Sequence, residues 1–209
     1  MYRFAIRLFL VVGLLFSVTA AIRAHEDDPG WLRVAQYAWD APAVDVYVDG
    51  EVVAEAVEAG FLSDFWELAA GEHSVAFAPS GAGIEDAIVG PVEVNLEADH
   101  RVSVSVIGQA GDDSLTPLVI DETAEMADCD LSQNVFRILI NNIAGAPAVS
   151  IYENDMWIER NVDYGTYSAL CVEPFFWDTG KTVLGDDLDG ESGIPCTTSF
   201  RSITLSRKA

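Results

Sequence analysis

Two stretches of the chain, 105 residues apart, carry nearly the same sequence. Ala41-Pro42-Ala43-Val44-Asp45-Val46-Tyr47-Val48-Asp49-Gly50 aligns with Ala146-Pro147-Ala148-Val149-Ser150-Ile151-Tyr152-Glu153-Asn154-Asp155, and the same offset pairs Val57 with Val162, Gly60 with Gly165 and Ser63 with Ser168. An offset that holds without a gap from Ala41 to Ser63 implies two copies of one unit, and so two tandem domains. The matches run through Leu170 and then fade. Pro174-Phe175-Phe176-Trp177 and Gly185-Asp186-Asp187-Leu188-Asp189-Gly190 have no counterpart in the first copy, which makes the second a shortened, degenerate one.

Within the copies the apolar period is two. Val44, Val46 and Val48 share one parity, with Asp45, Tyr47 and Asp49 on the other, the pattern of a strand with one buried face and one half-solvated one. Asp49-Gly50 follows at once and predicts a tight hairpin into Val52-Val53. Val92, Val94 and Leu96, then Val102, Val104 and Val106, alternate around a turn at residues 97–100, and further strands are expected at 32–37, 74–77 and 115–120. No stretch shows apolar residues at helical spacing. Short strands at this density predict an all-β fold of two tandem antiparallel β-sandwich domains of the immunoglobulin or transthyretin type, the second shortened. The expected boundaries are a first domain over 31–121, an acidic linker over 122–134 and a second domain over 135–209.

The beginning of the chain reads as an export signal. Arg3 and Arg7 precede an apolar run over residues 8–20, and small residues at Ala20 and Ala24 offer cleavage sites, so residues 1–24 are expected to be a signal peptide. From Leu8 to Ile22 fifteen mostly apolar residues fall short of the roughly 20 that span a bilayer, and no later stretch is long and apolar enough, so no transmembrane span is expected in the mature chain. Cleavage after Ala24 removes three of the eleven basic residues and none of the 34 acidic ones, taking the net charge from −23 to −26. Such a surface repels phosphate backbones, which argues against nucleic acid as a partner. It keeps an exported protein soluble, and would equally attract cations or a basic partner. The expected location is extracytoplasmic: secreted, periplasmic or on the cell surface.

Three cysteines, Cys129, Cys171 and Cys196, would meet an oxidising compartment there, and the odd count leaves one over. Cys171 and Cys196 lie in the degenerate half of the second copy, where a small core gains most from a covalent tie, so they are the expected disulfide. Cys129, in the acidic linker, is expected to be the cysteine left out.

Arg33-Val34 followed by Asp40-Ala41-Pro42-Ala43-Val44-Asp45-Val46-Tyr47-Val48-Asp49-Gly50 resembles the secreted-protein family called domain of unknown function 4397. Leu68-Ala69-Ala70-Gly71-Glu72-His73-Ser74-Val75 is similar to that family's Leu-Pro-Ala-Gly turn into a strand. The resemblance covers residues 31–120, and the second copy only to about Ser168, with Gly145 where the family's Asp would stand. Family members carry a His-x-Ser-Pro run before Asp-Ala-Pro; here those places hold Gln36, Ala38 and Trp39, so no role of that histidine transfers. The resemblance implies an exported, β-rich module, often in tandem on microbial envelopes, and no enzymatic activity.

Candidate chemistry is sparse. His25, His73 and His100 stand apart, none beside a serine in a nucleophile elbow, so no hydrolase is expected and no transition-metal site. Calcium is the better ion hypothesis: Asp186, Asp187, Asp189 and Glu191 crowd one glycine-containing loop. The loop lacks the spacing of an EF-hand, however, and a solvated acidic turn explains the same residues. Phe61, Phe65 and Trp66 cluster in the first copy, and Phe175, Phe176 and Trp177 in the second. Trp66, Phe176 and Trp177 are the candidates for stacking on a sugar ring or docking a partner, against the alternative that they fill an interface between the domains. The sequence thus predicts an exported, non-catalytic envelope or extracellular protein, a binding, adhesion or structural module without a cofactor. Its expected partner is a cell-surface glycan or an envelope protein; the alternative is an accessory factor in extracellular polysaccharide modification or assembly.

Overall fold

The computed structural model describes residues 28–143, 148–153, 156–173, 180–184 and 203–205. They are all-β, with several sheets built mainly of antiparallel pairs. In the first half the strands are β1 (Pro29–Gln36), β2 (Val44–Val48), β3 (Glu51–Val57), β4 (Phe61–Leu62), β5 (Trp66–Ala69), β6 (Gly71–Pro79), β7 (Val89–Leu96), β8 (Arg101–Ile107) and β9 (Thr116–Asp121). Sheet I has the order β4-β1-β8-β9, with β5 also paired to β1, and sheet II has the order β3-β2-β6-β7.

The two sheets share one core. Leu32 and Val34 of β1 and Val102, Val104 and Val106 of β8 pack with Val44, Val46 and Val48 of β2 and with Val75 and Phe77 of β6. Each is a residue of one parity on its strand, which is why the period of two was readable. Fully burying such a side chain contributes about 1.5–3 kcal/mol, and β-branched residues fit the pleat well. The hairpin at Asp49-Gly50 forms as expected: both residues have positive φ, 53° and 83°, and Val48 pairs with Glu51. Primed turns of this kind match the twist of the strands they join.

Two expectations about these sheets are corrected. Strand β1 pairs with β8 in parallel, so the first half is not purely antiparallel. Trp31 and its partner Arg101 are 70 residues apart in sequence, so no hairpin dictates their direction. The second correction concerns the other face of β2, where Asp45 and Tyr47 are buried rather than half-solvated. The loop over residues 80–88 folds across them: Tyr47 packs with Ala76, Ala78, Ile84 and Ala87, and its hydroxyl donates to the Ala82 carbonyl at 2.8 Å.

The second half carries β10 (Val135–Ile140), β11 (Val149–Glu153), β12 (Met156–Val162), β13 (Tyr167–Val172), β14 (Gly180–Leu184) and β15 (Ile203–Leu205), in sheets β13-β10-β15 and β12-β11-β14. Its pairings reproduce those of the first half at the offset of 105. Val44 opposite Val57 becomes Val149 opposite Val162, and the register shifts fall at the same places in both hairpins. Val44 opposite Pro79 becomes Val149 opposite Leu184, so the offset continues into β14, where the residues no longer resemble each other. Strand β15 lies antiparallel beside β10, where β8 lies parallel beside β1.

Residues 122–134 are more than the bare linker expected of them. A short helix, α1 (Glu122–Glu125), begins at Asp121, whose side chain accepts from the Ala124 amide at 2.9 Å. Met126, Cys129 and Leu131 then pack on a cluster of Ile120, Phe136 and Ile138 that joins the two halves. Acidic composition suggested solvation, but the apolar residues interspersed in it find a surface to cover. Among the described residues no helix is long and apolar enough to cross a membrane.

Candidate functional site

Several polar side chains of the first half, buried and exposed, hold backbone. Asp45 Oδ1 accepts from the Ala56 amide at 2.7 Å and its Oδ2 from the Gly81 amide at 2.8 Å, which fixes the bulge in β3 and the loop over residues 80–88. Asp40, the aspartate of the Asp-Ala-Pro motif, accepts from the amides of Ala110 and Gly111, both at 2.9 Å. The Gly111 and Ala110 amides hold the Asp40 carboxyl below its usual range, and those of Gly81 and Ala56 do the same for Asp45. Gln36, at the place of the family's histidine, is buried and accepts from the Ala38 amide at 3.0 Å. Asn141, 105 residues on, accepts from the Ile143 amide at 3.1 Å.

Two histidines clamp one end of the first half. His73 faces two acceptors, Asp49 Oδ2 at 2.7 Å from Nδ1 and the Ala69 carbonyl at 2.8 Å from Nε2. Only the imidazolium donates from both nitrogens. Partial burial works against that charge, but the hydrogen bonds to Ala69 and Asp49 outweigh it and raise the His73 pKa above its ordinary value. His100 stands 2.6 Å from Asp121, the cap of α1.

The outer face of sheet I holds a cluster that the sequence did not announce. Arg33 points away from the core, opposite in parity to Leu32 and Val34, and is nevertheless buried. Its Nε and Nη2 both donate to Oε1 of Glu122 on α1, the former at 2.8 Å. Glu122 is fully buried, and burial pushes its pKa up by more than Arg33 pulls it down. Arg33 also lies over the Phe65 ring, 4.5 Å from its centroid. One row along, Arg101 is 5.5 Å from the centroid of Trp31 and 5.8 Å from that of Phe65. Trp31 sits between Glu67 of β5 and Arg101 of β8 as its direct cross-strand neighbours. The sequence signal for this cluster was an arginine between two core residues of β1, in a chain with few basic residues.

The expected site residues fare unevenly. Trp66 pairs with Leu32 and packs against the core between the sheets, so it is not the outward ring it was expected to be. Its parity on β5 matches that of Leu32, and Phe65 and Glu67 take the outer face instead. Phe176, Trp177, Asp186, Asp187, Asp189 and Glu191 lie outside the described residues. The disulfide joins Cys129 to Cys171, with Cα atoms 5.5 Å apart, which replaces the expected pairing of Cys171 with Cys196. Cys129 is not on a flexible tether: its amide donates to Met126 at 2.9 Å, Asp130 caps the following turn, and the residue packs beside Phe136, the partner of Cys171 across the β10–β13 ladder. Among the described residues no group of three or more His, Cys, Asp or Glu side chains could hold a metal ion.

Among the described residues Trp39 is the most exposed of the large apolar side chains, at 60%. It lies by Gly60, at the end of a shallow groove lined by residues 54–61. A lone tryptophan between strands leaves no period from which its exposure could be read.

Residues 30–132 match the sequence profile of the Domain of unknown function (DUF4397) family. This part of the chain, from β1 through α1 and the turn after it, belongs to that family. The match extends past the first nine strands into the segment anchored by Glu122. Comparison with curated protein sequences finds no match.

Proposed function

We propose that this chain is an exported, non-catalytic binding or structural module of the cell envelope or extracellular space, built as two tandem β-sandwich domains of which the second is shortened. The observation that carries the reading is the use made of the polar side chains. Asp40, Asp45, Asp49 and Asp121 each accept backbone amides and so hold loops in place, as the framework of a durable extracellular module requires. Shared register at an offset of 105, with bulges at equivalent places, supports the tandem arrangement. The leader over residues 1–24 and a disulfide in a chain of net charge −23 support export.

The test uses protein recovered from its native host. Mass spectrometry is expected to find a terminus near Ala21 or His25, and a glycan array probed with the mature chain is expected to report a bound class without any change to the glycan. An intact leader on cytoplasmic protein, or turnover of a glycan, would overturn the reading.

A further inference from the structure

We propose that removal of the leader completes a zinc site at the end of the first half where β1 begins, formed by the new α-amine and the imidazole of His25 together with Nε2 of His100 and the carboxylate of Glu97. The site rests on the reading of the chain as an exported protein. It ties the mature terminus to the turn between β7 and β8.

His100 is set up as a ligand. Asp121 stands 2.6 Å from its Nδ1 and itself accepts from the Ala124 amide at 2.9 Å, so the ring is held in one orientation. A carboxylate on one ring nitrogen is the usual outer support of a metal-bound histidine. With Nδ1 donating to Asp121, Nε2 presents its lone pair to Oε2 of Glu97 at 3.5 Å. Two electron-pair donors that face one another need a cation between them. Ligand atoms about 2.1 Å from a tetrahedral ion stand about 3.4 Å apart, so this spacing suits zinc. His73 is not equivalent, because the Ala69 carbonyl already occupies its Nε2 at 2.8 Å.

Among the described residues this turn offers two ligands, and no group of three is present, whereas a closed zinc site takes about four. The start of the mature chain supplies the others. It enters the fold against the same turn: the Asp99 amide donates to the Pro29 carbonyl at 3.0 Å, and the Trp31 amide to the His100 carbonyl at 2.8 Å. His25 lies outside the described residues, and the backbone from it to Pro29 spans up to about 14 Å at about 3.4 Å per residue. Cleavage after Ala24 frees an α-amine on a histidine, and amine and Nδ1 of one residue close a chelate ring on one ion. The charges agree. Glu26, Asp27, Asp28 and Asp99 adjoin the ligands in sequence, while the neighbouring cation, Arg101, lies over Trp31 and Phe65.

Isothermal titration with zinc sulfate compares the chain beginning at His25 with the same chain retaining Ala24, a difference that touches no described residue. The mature chain is expected to bind one zinc ion. Ala24 turns the amine into an amide with no lone pair to give, and is expected to weaken binding about tenfold or more. His100→Gln and Glu97→Gln are each expected to weaken it about as much, and His73→Gln to leave it unchanged. Affinity is expected to rise from about pH 6 to about pH 8, because zinc displaces protons from nitrogen ligands. Magnesium in about tenfold excess is not expected to compete, since it selects oxygen ligands. No zinc bound by the mature chain, equal binding by the form with Ala24, or binding indifferent to His100→Gln overturns the site. A native terminus at Ala21 does the same, and each of these outcomes leaves the exported module standing. An intact leader on cytoplasmic protein overturns the module reading itself, and the site with it.

Discussion

Arg33 and Glu122 stand 89 residues apart and meet in the interior, where neither would be tolerated alone. Removing one partner of a buried pair strands the other charge, so Glu122→Ala is expected to destabilise the chain by about 3–5 kcal/mol in urea denaturation. Replacing both together, Arg33→Met with Glu122→Leu, is expected to recover most of that loss, and a double-mutant cycle measures the coupling. The Asp49–His73 pair makes a pH-dependent contribution of opposite sign at its two ends. The Ser74 amide and then His73 lower the Asp49 pKa, so its share of stability is lost as pH falls through that depressed value. His73 is raised, so its share is fully present below the unfolded pKa of about 6.5 and is lost as pH rises through the folded value. The urea midpoint is therefore expected to decline on the alkaline side of about pH 6.5, and His73→Gln to flatten that decline. None of these partnerships was legible in the sequence, because a long-range contact leaves no periodicity; only the local Asp49-Gly50 turn did.

Strands were the readable level. Alternating valines in β2, β7 and β8 gave parity, and parity gave the core. The short strands β4 and β5 escaped notice because two and four residues are too few to show a period, and with them went the correct facing of Trp66. Strand β14 escaped for another reason: it keeps the backbone register of Val75–Pro79 at the offset of 105 while its residues differ. The bulge in β3 is conformationally strained. Ala56 has φ of 51°, and its counterpart Asn161 in β12 has φ of 56°. Asparagine tolerates this region better than alanine, and glycine tolerates it freely. Ala56→Gly is thus expected to stabilise the chain by about 1 kcal/mol, against the usual penalty of glycine in a strand, as a rise in the urea midpoint would register. A drop would mean that Ala56 contributes packing that offsets its backbone strain.

At the scale of the molecule, the two halves are joined on several counts. Asn142 accepts from the Gly108 amide at 2.9 Å and donates to the Tyr37 carbonyl at 2.7 Å, while Ile120, Phe136 and Ile138 form a cluster across the join. The segment between the halves is anchored to the first by Glu122 and to the second by Cys129. The sequence suggested two copies and a spacer; it did not suggest that the spacer is built into both, because acidic composition masked the apolar residues that dock it. Closing a loop of 42 residues contributes about 4 kcal/mol through the unfolded chain, so Cys129→Ser with Cys171→Ser is expected to lose about that much, read by denaturation. The same crosslink has a mechanical consequence. When a chain displayed on a surface is pulled by its ends, tension crosses the sulfur bridge and bypasses everything between residues 129 and 171. Roughly 140 Å of extended backbone is withheld from stretching, at about 3.4 Å per residue. Single-molecule extension is expected to yield that extra length only after a dithiol is added, so β10, β11 and β12 would stay unextended in a sheared environment for as long as the surroundings remain oxidising.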